Sequence, residues 1–417
     1  MNTISKRSCD FCGKTHDAVK RLIIGNHTSI CNECIDLCVT ILEDEEVVDK
    51  KEESILDKDK LNPEKIKEHL DKYIISQEDA KIALSVAVAN HYKRIRMPPK
   101  DLTLDKSNIM IVGPSGSGKT LIARAIADYL DVPFVITDAT TLTEAGYVGD
   151  DVESIIGRLL HVADGDVKKA ENGIIFIDEI DKTARKSENV SITRDVSGEG
   201  VQQALLKLVE GTECRISPQS SNRKHPSHEM VTINTTNILF IVSGAFVGLD
   251  DMIMKRKTPT SMGFNATINE KKNDKSYILK EVEPYDFVEY GLIPEFTGRF
   301  PILTHVKHLT VDDMVSILVN TKNNIIDQYR YYFSLHDIDL EFTQESLYAI
   351  AKKANSLTTG ARGLKKIIED ILMMHQFKLN RYESNGVKKI IVSDDTVCYN
   401  ENVQFVYDVS KKVNQRL

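Results

Sequence analysis

The chain has 417 residues, 41% hydrophobic and 28% charged, a balance that supports a large buried core and excludes fibrous and wholly disordered classes. Its formal charge is −8, from 54 basic and 62 acidic residues, which argues against a protein built to coat nucleic acid. No apolar run approaches the ~18 residues of a membrane span, and the first residues lack an apolar signal core. A cytoplasmic protein is therefore expected, with neither membrane nor nucleic acid among its partners, and its length suggests about three domains.

Five of the seven cysteines fall between residues 9 and 38, too few and too clustered for a disulfide scaffold. Cys9-x2-Cys12-x18-Cys31-x2-Cys34 has the spacing of two knuckles that present four thiolates to one Zn²⁺. Four free cysteines or a redox pair would be the alternative. A unit this small buries little apolar surface, so metal would supply much of its stability. Cys38 is expected to be a small buried hydrophobe rather than a fifth ligand, and Cys214 and Cys398 are isolated. The zinc-binding domain is placed at 1–46. The charge-dense run that follows cannot offset its ordering entropy and predicts a linker over 47–61. Asn62-Pro63-Glu64 then opens a helix.

The next stretch alternates strand and helix. Short apolar runs predict strands at Asn108–Val112, Phe134–Thr137, Ile174–Asp178, Ile238–Val242 and Ile302–Val306, the pattern of a parallel sheet covered on both faces. Gly113-Pro114-Ser115-Gly116-Ser117-Gly118-Lys119-Thr120 follows the first strand and precedes a helix, so it reads as a P-loop in its proper context. Such a loop closes backbone N–H groups around ATP phosphates; Lys119 reaches the β/γ-phosphates and the Thr120 hydroxyl ligates Mg²⁺. The third strand ends in Asp178-Glu179. Charge at the end of a buried strand needs a partner. As a Walker-B pair, Asp178 holds Mg²⁺ and Glu179 polarises the attacking water. Residues 252–280 form a polar insertion expected to be a loop. The large α/β ATPase domain is placed at 62–308.

A smaller α+β domain is expected over 309–417. Thr310 and Asp313 predict a capping box that opens a helix running to about Tyr329. Leu364, Ile367, Ile368, Ile371 and Leu372 form an apolar helical stripe. Lys389–Val392 and Val403–Tyr407 read as an edge hairpin.

Together the zinc unit, P-loop, Asp-Glu pair and helical lid resemble the ClpX family of AAA+ protein-unfolding ATPases over nearly the whole chain. The resemblance implies a homohexamer that recognises, unfolds and threads protein substrates into the ClpP peptidase, with adaptors and dimerisation at the zinc domain. It implies further residues. Tyr147 and Val148, in Gly146-Tyr147-Val148-Gly149, become the substrate-gripping pore loop; by itself such a tyrosine is usually core or surface filler. The stretch 185–200 resembles a second pore loop. Arg223, Lys224 and His225 resemble a basic loop at the pore mouth, otherwise a solvated turn. Ile75 and Gln77 fall near the adenine pocket, where the family usually has glycine in place of Ser76. Arg299 resembles the arginine finger, otherwise a structural salt bridge, and Arg362 the sensor 2 arginine. Ser243 is the candidate sensor 1 residue. Met262-Gly263-Phe264 resembles the peptidase-docking tripeptide, with Met for the usual Ile or Leu. Three alternatives fit less well. A nucleotide-dependent adaptor with a dead site is opposed by the intact Lys119, Asp178, Glu179, Arg299 and Arg362. The peptidase-partnered relative HslU lacks the N-terminal zinc unit. A nucleic-acid-directed AAA+ ATPase fits poorly with the net charge and the Gly-Tyr-Val-Gly loop.

Overall fold

The computed structural model describes residues 8–25, 28–40, 60–99, 101–143, 150–185, 198–216, 230–257, 278–357, 359–399 and 402–407. The chain divides into two compact units, residues 1–60 and 61–417. In the first, Leu22–Ile24 pairs antiparallel with Ser29–Cys31, and a helix follows over 32–40.

The second unit is built on five parallel strands, β1 (Ile109–Val112), β2 (Phe134–Asp138), β3 (Ile174–Asp178), β4 (Leu239–Gly244) and β5 (Ile302–His305). Their order across the sheet is β5-β1-β4-β3-β2. Every residue of β1 and β4 is buried, whereas the edge strand β2 alternates, which explains why the central strands read as unbroken apolar runs. All five expected strands are present within two residues of their expected ends. The β1–β2 connection passes over β4 and β3, and β4 lies between β1 and β3, so the carboxyl ends of these three strands lie side by side, where an open α/β sheet places its ligand crevice.

Helices cover the sheet. Pro63–Asp71 begins at Asn62, whose side chain accepts from the Glu64 N–H. Lys119–Leu130 follows the P-loop and buries Ile122, Ala123, Ile126 and Leu130. Residues 252–257 of the expected loop are helical, as the end of Leu249–Lys257, because Leu249 and Ile253 are buried in the core. An antiparallel pair, Glu213–Ile216 with Val231–Asn234, was not expected from the sequence.

A second apolar core gathers beyond residue 308, and two expected features there, with one in the first unit, differ from the structure. The capping box of Thr310 and Asp313 is present, but its helix ends at Val319. Asn323 adopts a left-handed φ of 59°, and Asn324 caps a new helix, Ile325–Ser334. Five polar residues, Asn320 to Asn324, separate the two apolar stripes, and Asn324 before Ile325 is the local signal of a new helix start that a single-helix reading overlooks. Next, the late strands are not a hairpin. Helix Asp394–Tyr399 separates β7 (Val387–Val392) from β8 (Gln404–Tyr407), and β7 is the middle strand, parallel to the unforeseen β6 (Asp339–Phe342). Finally, in the first unit, Cys38 is half-buried rather than buried. The stripe on helix Ala361–Phe377 is as expected, with Leu364, Ile367, Ile368 and Leu372 buried and Ile371 at its margin. No described helix is long and apolar enough to cross a membrane.

Asn324 accepts from the Asp327 N–H at 2.8 Å and donates to the Val319 carbonyl at 3.1 Å, joining the end of one helix to the start of the next. Asn324→Ala should cost about 1–2 kcal/mol. Calorimetry of the full chain should show a lowered midpoint for the transition of this region, and Asn324→Ser, which keeps an acceptor, should recover part of it.

Candidate functional site: a P-loop nucleotide site and a cysteine tetrad

Two strand ends and the start of the P-loop helix meet at Asp178. The Thr120 hydroxyl donates to its Oδ2 at 3.2 Å, the Ser243 hydroxyl to its Oδ1 at 2.5 Å, and the Glu179 N–H to Oδ1 at 3.0 Å. Residues from the P-loop helix, β3 and β4 therefore share one carboxylate, and it carries the pair of oxygens, Thr120 Oγ1 and Asp178 Oδ2, that would hold Mg²⁺. Glu179 lies at φ 56°, a left-handed conformation that costs a non-glycine residue about 1–2 kcal/mol and gathers at functional sites. Ser243 is fully buried near the end of β4.

The P-loop wraps Lys119. Its Nζ donates to the carbonyls of Gly113 at 2.7 Å and Pro114 at 2.9 Å, and Ser117 closes the turn by donating to Pro114 at 2.7 Å. Burial pushes the Lys119 pKa below the usual lysine value, opposed by the negative charge of Asp178, Asp181 and Glu179. Asp181 was not singled out from the sequence. It is buried, accepts from the Ala245 N–H at 3.2 Å, and so ties the turn after Glu179 to the end of β4. The only signal for it was a third acid, three residues after Asp178.

The small-domain helix Ala361–Phe377 abuts the P-loop. Its Ala361 N–H donates to the Gly116 carbonyl at 3.1 Å, and Arg362 Nη1 donates to Ser115 Oγ at 3.3 Å. A Cβ on Gly360 would lie 2.8 Å from the Gly116 carbonyl oxygen, so both glycines are needed for this approach. Arg362 is thus brought to the P-loop by a residue 247 positions away. Ile75 is half-buried. Gln77 is buried and pairs with the Lys307 backbone in both directions, at 2.9 and 2.7 Å. Ser76 takes the left-handed φ of 57° itself, and its hydroxyl donates to Asp313. Arg299 lies apart from these residues on its own chain, paired with Glu210 at 2.6 Å and about half exposed. Tyr147, Val148, Arg223, Lys224, His225, Met262, Gly263 and Phe264 lie outside the described residues, as does most of the 185–200 stretch.

In the first unit, the sulfur atoms of Cys9, Cys12, Cys31 and Cys34 all lie within 4.8 Å of one another. The Cys9–Cys34 and Cys12–Cys31 separations are 3.9 and 3.6 Å. Four thiolates about 2.3 Å from a tetrahedral zinc stand about 3.8 Å apart, so the tetrad fits the metal. Burial opposes ionisation of Cys9, but backbone N–H groups of Cys12, Cys31 and Phe11 outweigh it and bring the thiol down to about 6. No disulfide joins any cysteine, and Cys38 is not part of the group.

A parallel sheet with a P-loop after its first strand and an acidic pair after its third, joined to a helical lid, defines an AAA-type ATPase. The comparisons with known proteins agree. Residues 104–303 match the AAA domain (Cdc48 subfamily), residues 7–44 the ClpX C4-type zinc finger, and residues 309–377 the C-terminal D2-small domain of ClpB protein. The chain is 48% identical over 412 residues to the ATP-dependent Clp protease ATP-binding subunit ClpX of Borrelia duttonii (strain Ly), covering 98% of this chain and 94% of the relative. The ClpX of Borrelia recurrentis (strain A1) matches to the same extent. That of Treponema denticola is 48% identical over 389 residues, 92% of either chain. The chain belongs to the ClpX family.

Two outcomes check the site. Gly116→Ala would set a methyl 3.1 Å from Gly360 Cα at a φ of +72°, so titration with a fluorescent ATP analogue should show affinity reduced more than about tenfold. Metal analysis of the purified chain should find one zinc per chain, absent in Cys12→Ser, with the ATPase unit still folded.

Proposed function

We propose that this chain is an ATP-driven protein unfoldase and translocase of the cytoplasm. It works as a homohexamer that grips protein substrates in a central pore and delivers them to the ClpP peptidase. The observation that carries the reading is the match to ClpX relatives along 98% of the chain, zinc finger included, together with an intact Lys119–Thr120–Asp178–Glu179 site. The domains follow as zinc-binding 1–46, linker 47–61, large ATPase 62–308 and small domain 309–417.

Within one subunit, the P-loop N–H groups and Lys119 hold the phosphates of ATP, with Ile75 and Gln77 beside the base. Thr120 and Asp178 hold Mg²⁺, which neutralises phosphate charge when bound. Glu179 orients and polarises the attacking water. Arg299 reaches the site of the neighbouring subunit, where an arginine is worth about 10³–10⁵ in rate. Arg362 reads the nucleotide from the lid side. The lid turns about the joint formed by Gln77–Lys307 and Ser76–Asp313, so occupancy of the P-loop alters the angle between the two halves. That motion moves Tyr147 and Val148, with Arg223, Lys224 and His225 at the pore mouth. Met262, Gly263 and Phe264 dock the peptidase; methionine is more adaptable than isoleucine and less pre-organised, so docking is looser. The zinc domain dimerises and receives substrates and adaptors.

The test is ATP-dependent unfolding of a tagged fluorescent protein, with ATPase rates recorded alongside. Wild type should unfold it. Glu179→Gln should bind ATP with hydrolysis reduced at least about a hundredfold. Tyr147→Ala should hydrolyse ATP yet unfold poorly. Wild-type hydrolysis with no unfolding of several tagged substrates would overturn the reading.

A further inference from the structure

One buried side chain joins the segment that bears the catalytic acid to the segment that bears Arg299. Gln202 is completely buried on helix Glu199–Glu210. Its Nε2 donates to the Thr183 carbonyl at 2.9 Å, and its Oε1 accepts from the Ile293 N–H at 2.8 Å. Thr183 ends the short 3₁₀ turn Ile180–Thr183, which begins directly after Glu179. Ile293 caps helix Pro294–Gly298, and Arg299 follows that helix directly.

The surrounding contacts leave neither segment free to move alone. The Arg185 N–H donates to the Gly291 carbonyl at 3.0 Å, and a Cβ at Gly291 would lie 2.5 Å from the Arg185 oxygen. Phe296 and Phe300 are buried with ring centroids 4.9 Å apart, and Asn108 donates to the Arg299 carbonyl at 3.1 Å. The far end of the Gln202 helix also meets this segment, through the ion pair of Glu210 and Arg299. A buried amide with both ends satisfied holds its partners in one arrangement, because breaking either bond leaves an unpaired polar group without water.

We propose that Gln202 is a positioning residue that couples a subunit's own Glu179 turn to the Arg299 it presents to its neighbour. When the turn after Glu179 shifts with the state of the nucleotide, Gln202 carries the shift to Ile293, and helix Pro294–Gly298 re-aims Arg299. The proposal rests on the reading of Arg299 as a residue that acts on a neighbouring site.

Coupling of this kind is read in the neighbour rather than in the altered subunit. Wild-type subunits are mixed in equal amounts with subunits made hydrolytically inactive by Glu179→Gln, and the ATPase rate of the wild-type subunits is recorded. The inactive subunits carry no further change, Arg299→Ala, or Gln202→Met. Ring incorporation is checked by light scattering and melting temperature. Both added changes should lower the rate by up to about half, the share of wild-type sites with an altered neighbour on one side in a cyclic ring. If Arg299→Ala lowers the rate and Gln202→Met does not, the coupling role is wrong. If Arg299→Ala itself leaves the rate unchanged, the reading of Arg299 fails and the proposal with it. Should Gln202→Met not enter rings, Ile293→Pro takes its place: the φ of −71° at Ile293 suits proline, and the exchange removes the N–H that Gln202 accepts. The same two outcomes then decide.

Discussion

A carboxylate at the end of a buried strand must find partners, and the nucleotide site is organised around that requirement. The first four residues of β3 are buried, and Asp178 emerges where they end. Its two oxygens accept from Thr120, Ser243 and the Glu179 N–H. Those donors belong to three different parts of the chain, and only the order β5-β1-β4-β3-β2 sets their strand ends side by side. The parallel sheet thus builds a polar crevice at one end from the same apolar strands that build the core.

The second organising contact is the approach of the lid to the P-loop. Two glycines, Gly116 and Gly360, meet backbone to backbone, and the Ala361 N–H is bonded to the loop carbonyl. On the other side of the joint, Gln77 grips the Lys307 backbone and Ser76 bonds to Asp313. Burial works against ionisation of Asp313, yet hydrogen bonds from Ser76 and Thr310 hold its carboxyl below the usual aspartate range. That carboxyl also completes the capping box that starts the small domain. The serine that departs from the family's usual glycine accepts the left-handed backbone and adds a bond across the joint. The small domain is therefore attached to the large one at two places, the P-loop and the Ser76–Gln77 turn.

The zinc unit follows a different logic. Its strands are three residues long and, among the described residues, only Cys9 and Cys31 are buried, so they form little apolar core. A metal held by the four converging sulfurs, with backbone N–H groups drawing Cys9 toward the thiolate, would supply the stability that packing does not.

Much of this was legible in the residues. Continuous apolar runs marked the five parallel strands because both faces of the sheet are covered. The P-loop, the Asp178-Glu179 pair and the cysteine spacing carried chemistry in local sequence, since each is a contiguous segment with a fixed geometry. What failed was also physical. The two apolar stripes of Val311–Val319 and Ile325–Ser334 are separated by five polar residues, Asn320 to Asn324, and Asn324 before Ile325 is a local N-cap signal that a single-helix reading passes over. β6 is a four-residue strand recognisable only by its partner β7. Gln202, Asp181 and Glu210 looked like ordinary helix and turn residues. Their partners lie up to 91 positions away in the chain, and hydrogen bonds at that separation leave no periodicity to read. The sequence by itself determined which chemistry the chain carries, because phosphate, metal and acid motifs are local. Only the tertiary structure decided how those pieces are coupled, because coupling runs through buried contacts between segments that are distant in the chain.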